Sequence, residues 1–324
     1  MSKASNKETL TLILSLLITG GLAAGSLWYF RSNFISNNSI PTIEDNQNRA
    51  NQNSTTQNIG TSSLDTSLPN PSVLTIDGSV TMVAAIKQLQ IAFSLLNPSL
   101  PTTYGVPDGK PNGTNAGIRN LIDGKVSMAA SSRGLKSDEL QAGLVGIPIA
   151  KDAIAVTVGI NNPYKGGLTM TQLKGIFQGR ITNWSEVGGP NLPIRVLNRS
   201  RDSGTSTFFQ DVVLLGKPFA PDGANFTTFK RDETTPILRA LGKDGISYST
   251  VTQIENQKTV RVVPIEGISP TDQTAINNVS YPISRVVYLA VPKQTSPATK
   301  QFIDFALSPQ GQQVIKRTGF LPIQ

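Results

Sequence analysis

The sequence predicts an α/β fold with mainly parallel sheets, and three observations carry that expectation. From residue 73 onward, short apolar runs of strand length alternate with segments whose apolar residues recur at helical spacing. The turns between them pair glycine with serine, threonine or asparagine, several just ahead of a helix. A hydrophobic content of 38% is enough to build real cores in a chain of 324 residues.

Taken in chain order, the elements begin before the folded body. Residues 9 to 30, "TLTLILSLLITGGLAAGSLWYF", carry no charge over 22 positions. As a helix this run would span roughly 33 Å, the thickness of a bilayer's hydrocarbon core. It reads as a transmembrane anchor, with residues 1–8 a short cytoplasmic terminus because Lys3 and Lys7 precede it. The stretch "GLAAGS" leaves a cleaved signal segment open as well. Either way the body is expected on the extracytoplasmic or periplasmic face. Residues 31–72 are rich in Asn, Ser, Thr and Gln and read as a flexible tether, with a mean span of roughly 35 Å.

A strand is expected at 73–76. Met82, Ile86, Leu89, Phe93 and Leu96 then mark one helical face closed by Asn97-Pro98. A helix near 115–123, a strand near 126–130, apolar runs at 145–149 and 153–160, a helix near 171–178, a strand near 194–197 and a helix from about 205 continue the alternation. The C-terminal segment reads as one or two helices with Phe302, Ile303 and Phe305 inward.

Composition removes several function classes. With no cysteine and no histidine there is no thiolate or imidazole metal site, no Cys nucleophile and no Ser-His-Asp triad. No metal and no cofactor is expected. A net charge of +8 and a pI near 9.7 favour anionic partners.

Four turns share one chemistry: "DGSVT" (77–81), "NGTNAG" (112–117), "ASSRG" (130–134) and "RSRDSGTS" (199–206). Glycine lets a ligand approach the backbone, hydroxyls and amides donate, and the first N–H groups of a helix point the same way. Taken singly, each is equally an ordinary N-cap. Arg133 and Arg199, beside two of these turns, have the fork geometry that suits tetrahedral oxyanions, or they are solvated or salt-bridged arginines.

In order, "IDGSVTMVAAIKQL", "AGIRNLIDGKVSMAASSRGLKSDEL", "IPIAKDAIAVTV", "LTMTQLKGIFQGRITNWSEVGGPNLPIRVLNRSRDSGTSTFF" and "YPISRVVYLAV" closely resemble the phosphate-binding proteins of bacterial ABC transporters. The similarity runs from about residue 73 to the C-terminus. The resemblance implies a two-lobed periplasmic-binding-protein fold of type II that closes around one inorganic phosphate and passes it to ABC permease subunits, acting as a monomer and without catalysis. By position it implies a site made of Ser79, Thr81 and Met82, then Thr114 and Asn115, then Ser131, Ser132 and Arg133, then Arg199, Ser203, Gly204 and Thr205. The second loop departs from the family's Gly-Ser-Gly run, and at position 133 this chain has arginine where some members have a proton-accepting aspartate.

The lobes are expected at 73–152 with 281–324, and at 153–280. Phe208, Phe209, Val212 and Val213 are expected in the core, Trp184 and Tyr248 at lobe surfaces, and Arg201 in solvent. On this reading Arg199→Ala abolishes anion binding and leaves the fold intact. The alternatives are a membrane-tethered sensor, adhesion or scaffold module that reuses the fold, and a hydrolase using Ser203 with Lys151 or Lys230, for which no spacing pairs nucleophile and base. Nucleic-acid binding is not expected, because Lys and Arg are not clustered with aromatic residues.

Overall fold

The computed structural model describes residues 64 to 323, apart from Asn256. The expected apolar N-terminal segment and most of the tether lie outside these residues. Among the described residues, no helix is long and apolar enough to cross a membrane.

Nine strands are described: β1 (Leu74–Gly78), β2 (Thr102–Tyr104), β3 (Met128–Ser131), β4 (Leu144–Gly159), β5 (Arg195–Asn198), β6 (Phe226–Thr228), β7 (Gly245–Thr250), β8 (Val260–Val263) and β9 (Ser284–Pro292). They follow the order β2-β1-β3-β9-β4-β7-β5-β6, with β8 also on β4. The outer pairs β1–β2, β1–β3, β5–β6 and β5–β7 are parallel. The middle pairs β3–β9, β4–β9, β4–β7 and β4–β8 are antiparallel, so the sheet is mixed where mainly parallel pairing was expected. The expectation failed because a βα alternation signals parallel pairing, whereas β9 returns from a distant part of the chain and enters the middle reversed.

The apolar runs at 145–149 and 153–160 are one strand of 16 residues. Residues 144 to 153 pair with β9, and 154 to 159 pair with β7 and β8. Lys151 and Asp152 interrupt the apolar pattern without breaking the strand. The Lys151 backbone bonds that of Leu321 in both directions, and Asp152 is buried against Arg285.

Helices pack against both halves of this sheet. Val83–Leu96 buries Ala85, Ile86, Leu89 and Phe93 beside buried Met82, while Leu96, expected on the same face, sits at the helix end and is exposed. One apolar core draws on residues from 64–150 and 287–320, with Phe93 against Phe302 and Phe305. The C-terminal segment is two helices, Pro297–Leu307 and Pro309–Arg317, each opened by a serine cap and a proline. The second core lies within 153–283 and centres on Phe177, Phe209 and Tyr248.

Two expectations are corrected here. Trp184 and Tyr248 do not lie at a surface, since both are fully buried. Trp184 stacks on Tyr164 at 4.7 Å and Tyr248 on Phe209 at 4.0 Å, so their large apolar area goes to packing while each polar tip finds a partner. The last part of the expected tether is also fixed. Asp65 pairs in parallel with Gln294, the Ala298 N–H donates to Asn70 Oδ1, and Leu64 joins the first core. These contacts are mainly backbone bonds, which a polar composition does not reveal.

Candidate oxyanion site

The glycine- and hydroxyl-bearing turns meet at the ends of β1, β3 and β5. Helix Thr114–Ile122 follows Gly113, and helix Gly204–Val212 is capped by Ser203, whose Oγ accepts from the Ser206 N–H at 3.4 Å. The first N–H groups of such helices have no partner within the helix. Gly204 touches the opposite turn so closely that a Cβ there would lie 2.3 Å from Thr114 Oγ1. Only glycine permits that approach.

Four hydroxyls from three turns form a buried chain. Thr81 Oγ1 lies 2.8 Å from Ser79 Oγ, Ser79 Oγ 2.9 Å from Ser132 Oγ, and Ser132 Oγ 3.1 Å from Thr114 Oγ1. Three contacts consume three of the four hydroxyl hydrogens, so one remains to be donated elsewhere. Tyr104 closes the back by donating its hydroxyl to the Ser79 carbonyl. Burial, with Asp77 and Asp232 nearby, pushes that phenol well above its ordinary value, so it stays a neutral donor.

Three buried arginines ring this chain, and each carries its own carboxylate: Arg133 with Glu139 at 2.6 Å, Arg199 with Asp232 at 2.5 Å, and Arg285 with Asp152 at 2.6 Å. A guanidinium has five N–H groups, and their fates differ. Arg133 spends all five, two on Glu139, two on Asn115 Oδ1 and one on the Gly134 carbonyl. Arg285 spends four, one on Asp152 Oδ2, one on the Ser132 carbonyl at 3.1 Å, one on Thr205 Oγ1 at 2.9 Å and one on Thr81 Oγ1 at 3.5 Å, and its Nη2 also lies 2.6 Å from Asp152 Oδ2 as an ion pair. Arg199 spends three, on Ser203 Oγ, Thr234 Oγ1 and Asp232 Oδ1, which leaves two.

Burial pushes the Arg285 guanidinium below its ordinary value, Asp152 opposes that, and the Arg199 charge adds a smaller downward push. Burial works to raise the Glu139 carboxyl, but the hydrogen bonds from Arg133 and from the Lys136 backbone outweigh it and hold it below the ordinary value.

Of the residues expected in the site, Ser79, Thr81, Thr114, Ser132, Ser203, Gly204, Thr205 and Arg199 come together. Met82 has its side chain in the first core, and its N–H donates to the Ser79 carbonyl at 3.2 Å. Ser131 turns its hydroxyl back onto the Arg133 carbonyl at 2.7 Å. Asn115 spans two turns: its Nδ2 donates to the Arg201 carbonyl and Thr207 Oγ1, and its N–H to the Asp202 carbonyl. Arg201 is exposed, as expected. Of the expected core residues, Phe209 and Val213 are buried; Phe208 is half-buried, with the Arg285 guanidinium 6.0 Å from its ring centre.

Sequence reasoning missed Arg285, Asp152, Asp232 and Thr234. A signal existed for the first two, because each is a charged residue interrupting an otherwise apolar strand, "YPISRVVYLAV" and "IPIAKDAIAVTV". Two cavities flank the Arg199–Asp232 pair. One of about 710 Å³ is lined in part by Lys110, Asn112, Ser200, Lys230 and Asp232. One of about 540 Å³ is lined in part by Asn115, Arg199, Arg201, Ser206 and Phe219. Among the described residues, no acidic cluster could hold a metal ion.

Comparison with known proteins settles the family. A model of the PBP superfamily domain matches residues 51–310, most of the chain. The chain belongs to the PBP superfamily. Its PBP fold is two-lobed and α/β, of type II. A phosphate-binding protein PstS of Borreliella burgdorferi is 28% identical over 272 residues, covering 79% of this chain and 91% of that protein. A solved Clostridium perfringens structure, a putative phosphate ABC transporter substrate-binding protein with bound phosphate, superposes with a TM-score of 0.67 at 29% identity. It covers 78% of this chain and all of that one. An ABC-type phosphate transport receptor from Vibrio cholerae superposes at 0.64 with 25% identity, covering 76% of this PBP chain and 99% of its own.

Proposed function

We propose that this PBP-superfamily protein captures inorganic phosphate between its two lobes, 73–152 with 281–324 and 153–280, on the extracytoplasmic face and delivers it to an ABC permease. The observation that carries this is the convergence of donors. The one unspent hydrogen of the Ser79–Thr81–Thr114–Ser132 hydroxyl chain, the Thr205 hydroxyl, the first N–H groups after Ser203, and the two unspent N–H groups of Arg199 all lie at one buried place. Such a site replaces the water around a multiply charged oxyanion with fixed donors. The phosphate-binding relatives support the choice of anion.

The roles divide by what each side chain has left to give. Arg199 is the clamp. Ser132, whose hydroxyl is in the chain, meets the anion from the third turn, while Arg133 holds Asn115. Asn115 and the Arg119–Asp202 pair at 2.7 Å tie the two lobes in the closed arrangement.

The test is isothermal titration of the full-length chain in detergent, after carried-over ligand is removed by partial unfolding and refolding, with phosphate and then sulfate. Tight uptake of phosphate supports the proposal. No uptake of either anion overturns it and favours a tethered module that uses the fold for another partner.

A further inference from the structure

Arg133 was expected among the ligands of the anion, yet all five of its N–H groups end on the protein. It is buried, and Glu139 grips it with both carboxylate oxygens, at 2.8 and 2.6 Å, while the Lys136 N–H holds Glu139 Oε2 at 2.8 Å. The guanidinium so fixed gives two N–H groups to a single atom, Asn115 Oδ1, at 3.0 and 2.7 Å. That contact orients the amide. Its NH2 end faces away from Arg133 and donates to the Arg201 carbonyl at 2.8 Å and to Thr207 Oγ1 at 3.1 Å. A flipped amide would set Oδ1 against the Arg201 carbonyl and the NH2 against the guanidinium, so the guanidinium decides which end reaches across.

Arg133, Glu139 and Asn115 belong to one of the two lobes proposed above, and Arg201 and Thr207 to the other. The same segments also meet through their backbones: the Asn115 N–H donates to the Asp202 carbonyl at 3.0 Å, and a Cβ on Gly113 would lie 2.5 Å from that carbonyl oxygen. Both hydrogens of Asn115 Nδ2 and its backbone N–H are thereby used, so Asn115 has none left for a ligand. We infer that Arg133, anchored on Glu139, is a positioning residue for closure. It makes Asn115 a latch that touches no ligand, holds the lobes together in part of the phosphate-free population and sets how fast a bound anion leaves. These bonds exist only while the lobes are together, so losing them speeds opening and leaves the encounter with an open cleft nearly unchanged. The effect on release rests on the phosphate reading above; the latch geometry does not.

The chain has no cysteine, so Lys87→Cys and Lys243→Cys, both exposed and one in each lobe, can carry a donor and an acceptor dye on the full-length chain in detergent. Energy transfer then reads the separation of the lobes, and stopped-flow mixing with inorganic phosphate reads capture and release. Asn115→Ala should speed release about tenfold with capture within about twofold, and should lower energy transfer in the phosphate-free chain. Arg133→Gln alone would leave Glu139 buried and unpaired, so it is combined with Glu139→Gln. This pair should reproduce both changes, and adding Asn115→Ala to it should speed release by less than about twofold more. Saturating phosphate should restore full energy transfer in every variant. Unchanged release in Asn115→Ala, unchanged energy transfer in its phosphate-free form, or full additivity of the losses each overturns the latch and leaves phosphate binding standing. An unsubstituted chain that takes up no phosphate overturns the phosphate reading, and the phosphate-free energy transfer then decides the latch by itself.

Discussion

The turns bearing Arg133 and Arg199 look alike in sequence, with an arginine beside serines and a glycine, and both arginines are buried against a carboxylate. Their remaining capacity differs. Arg133 has every N–H on a protein acceptor, whereas Arg199 keeps two. The comparison teaches that an arginine's role at an anion site is read from its unspent donors, not from its charge or its neighbours in sequence.

The largest expected effect is at Arg199. Arg199→Ala should weaken phosphate binding by at least about a hundredfold, because it removes a charge-assisted double contact. It should also destabilise the fold by about 3–5 kcal/mol, since Asp232 is left buried without its partner. With that burial the substitution is not expected to leave the fold untouched; calorimetry and a thermal melt measure the two losses separately. If Arg133→Ala weakened binding as much as Arg199→Ala, the contrast between the turns would break.

Next comes Gly204→Ala, whose methyl would collide with Thr114 Oγ1 and keep the turns apart. Binding should weaken by about tenfold or more, and small-angle scattering should show a more open molecule with phosphate present. Acid then sharpens the comparison at Arg133. Glu139 is held below its ordinary value, so its pair contributes stability above the unfolded carboxylate range, and that contribution is lost as pH falls through the lower folded value. Glu139→Gln should lower the melting temperature near neutrality, by about 1–3 kcal/mol of stability, and flatten the acid dependence, with phosphate affinity changed only a few-fold. The smallest effects belong to the exposed groups. Asp202→Ala, which breaks the exposed pair with Arg119, should cost less than about 1 kcal/mol, and Arg201→Ala should leave affinity within about twofold.

Much of this was legible in the sequence where the signal was local. The helical face from Met82 to Phe93, the strands ahead of three of the four glycine turns and the hydroxyls at those turns follow from spacing and turn chemistry. The direction of β9 was not legible, because antiparallel entry into the sheet depends on a distant partner: Arg285 and Asp152 are 133 residues apart. Nor were the partners of the arginines. Asp232 and Asp152 sit far from Arg199 and Arg285 along the chain, and only the fold brings each carboxylate to its guanidinium. Asn115 shows the same limit from the other side, since its turn was rightly placed near the site while its side chain faces across the cleft.

The pairing of every buried arginine with its own carboxylate has one more consequence. The charges of the three buried arginines cancel pair by pair, so they add little long-range field for an incoming ion despite the chain's net charge of +8. Attraction then comes from short-range hydrogen bonds inside the protein, where dissolved ions screen poorly. Uptake at this site should therefore change little between dilute buffer and seawater-like ionic strength.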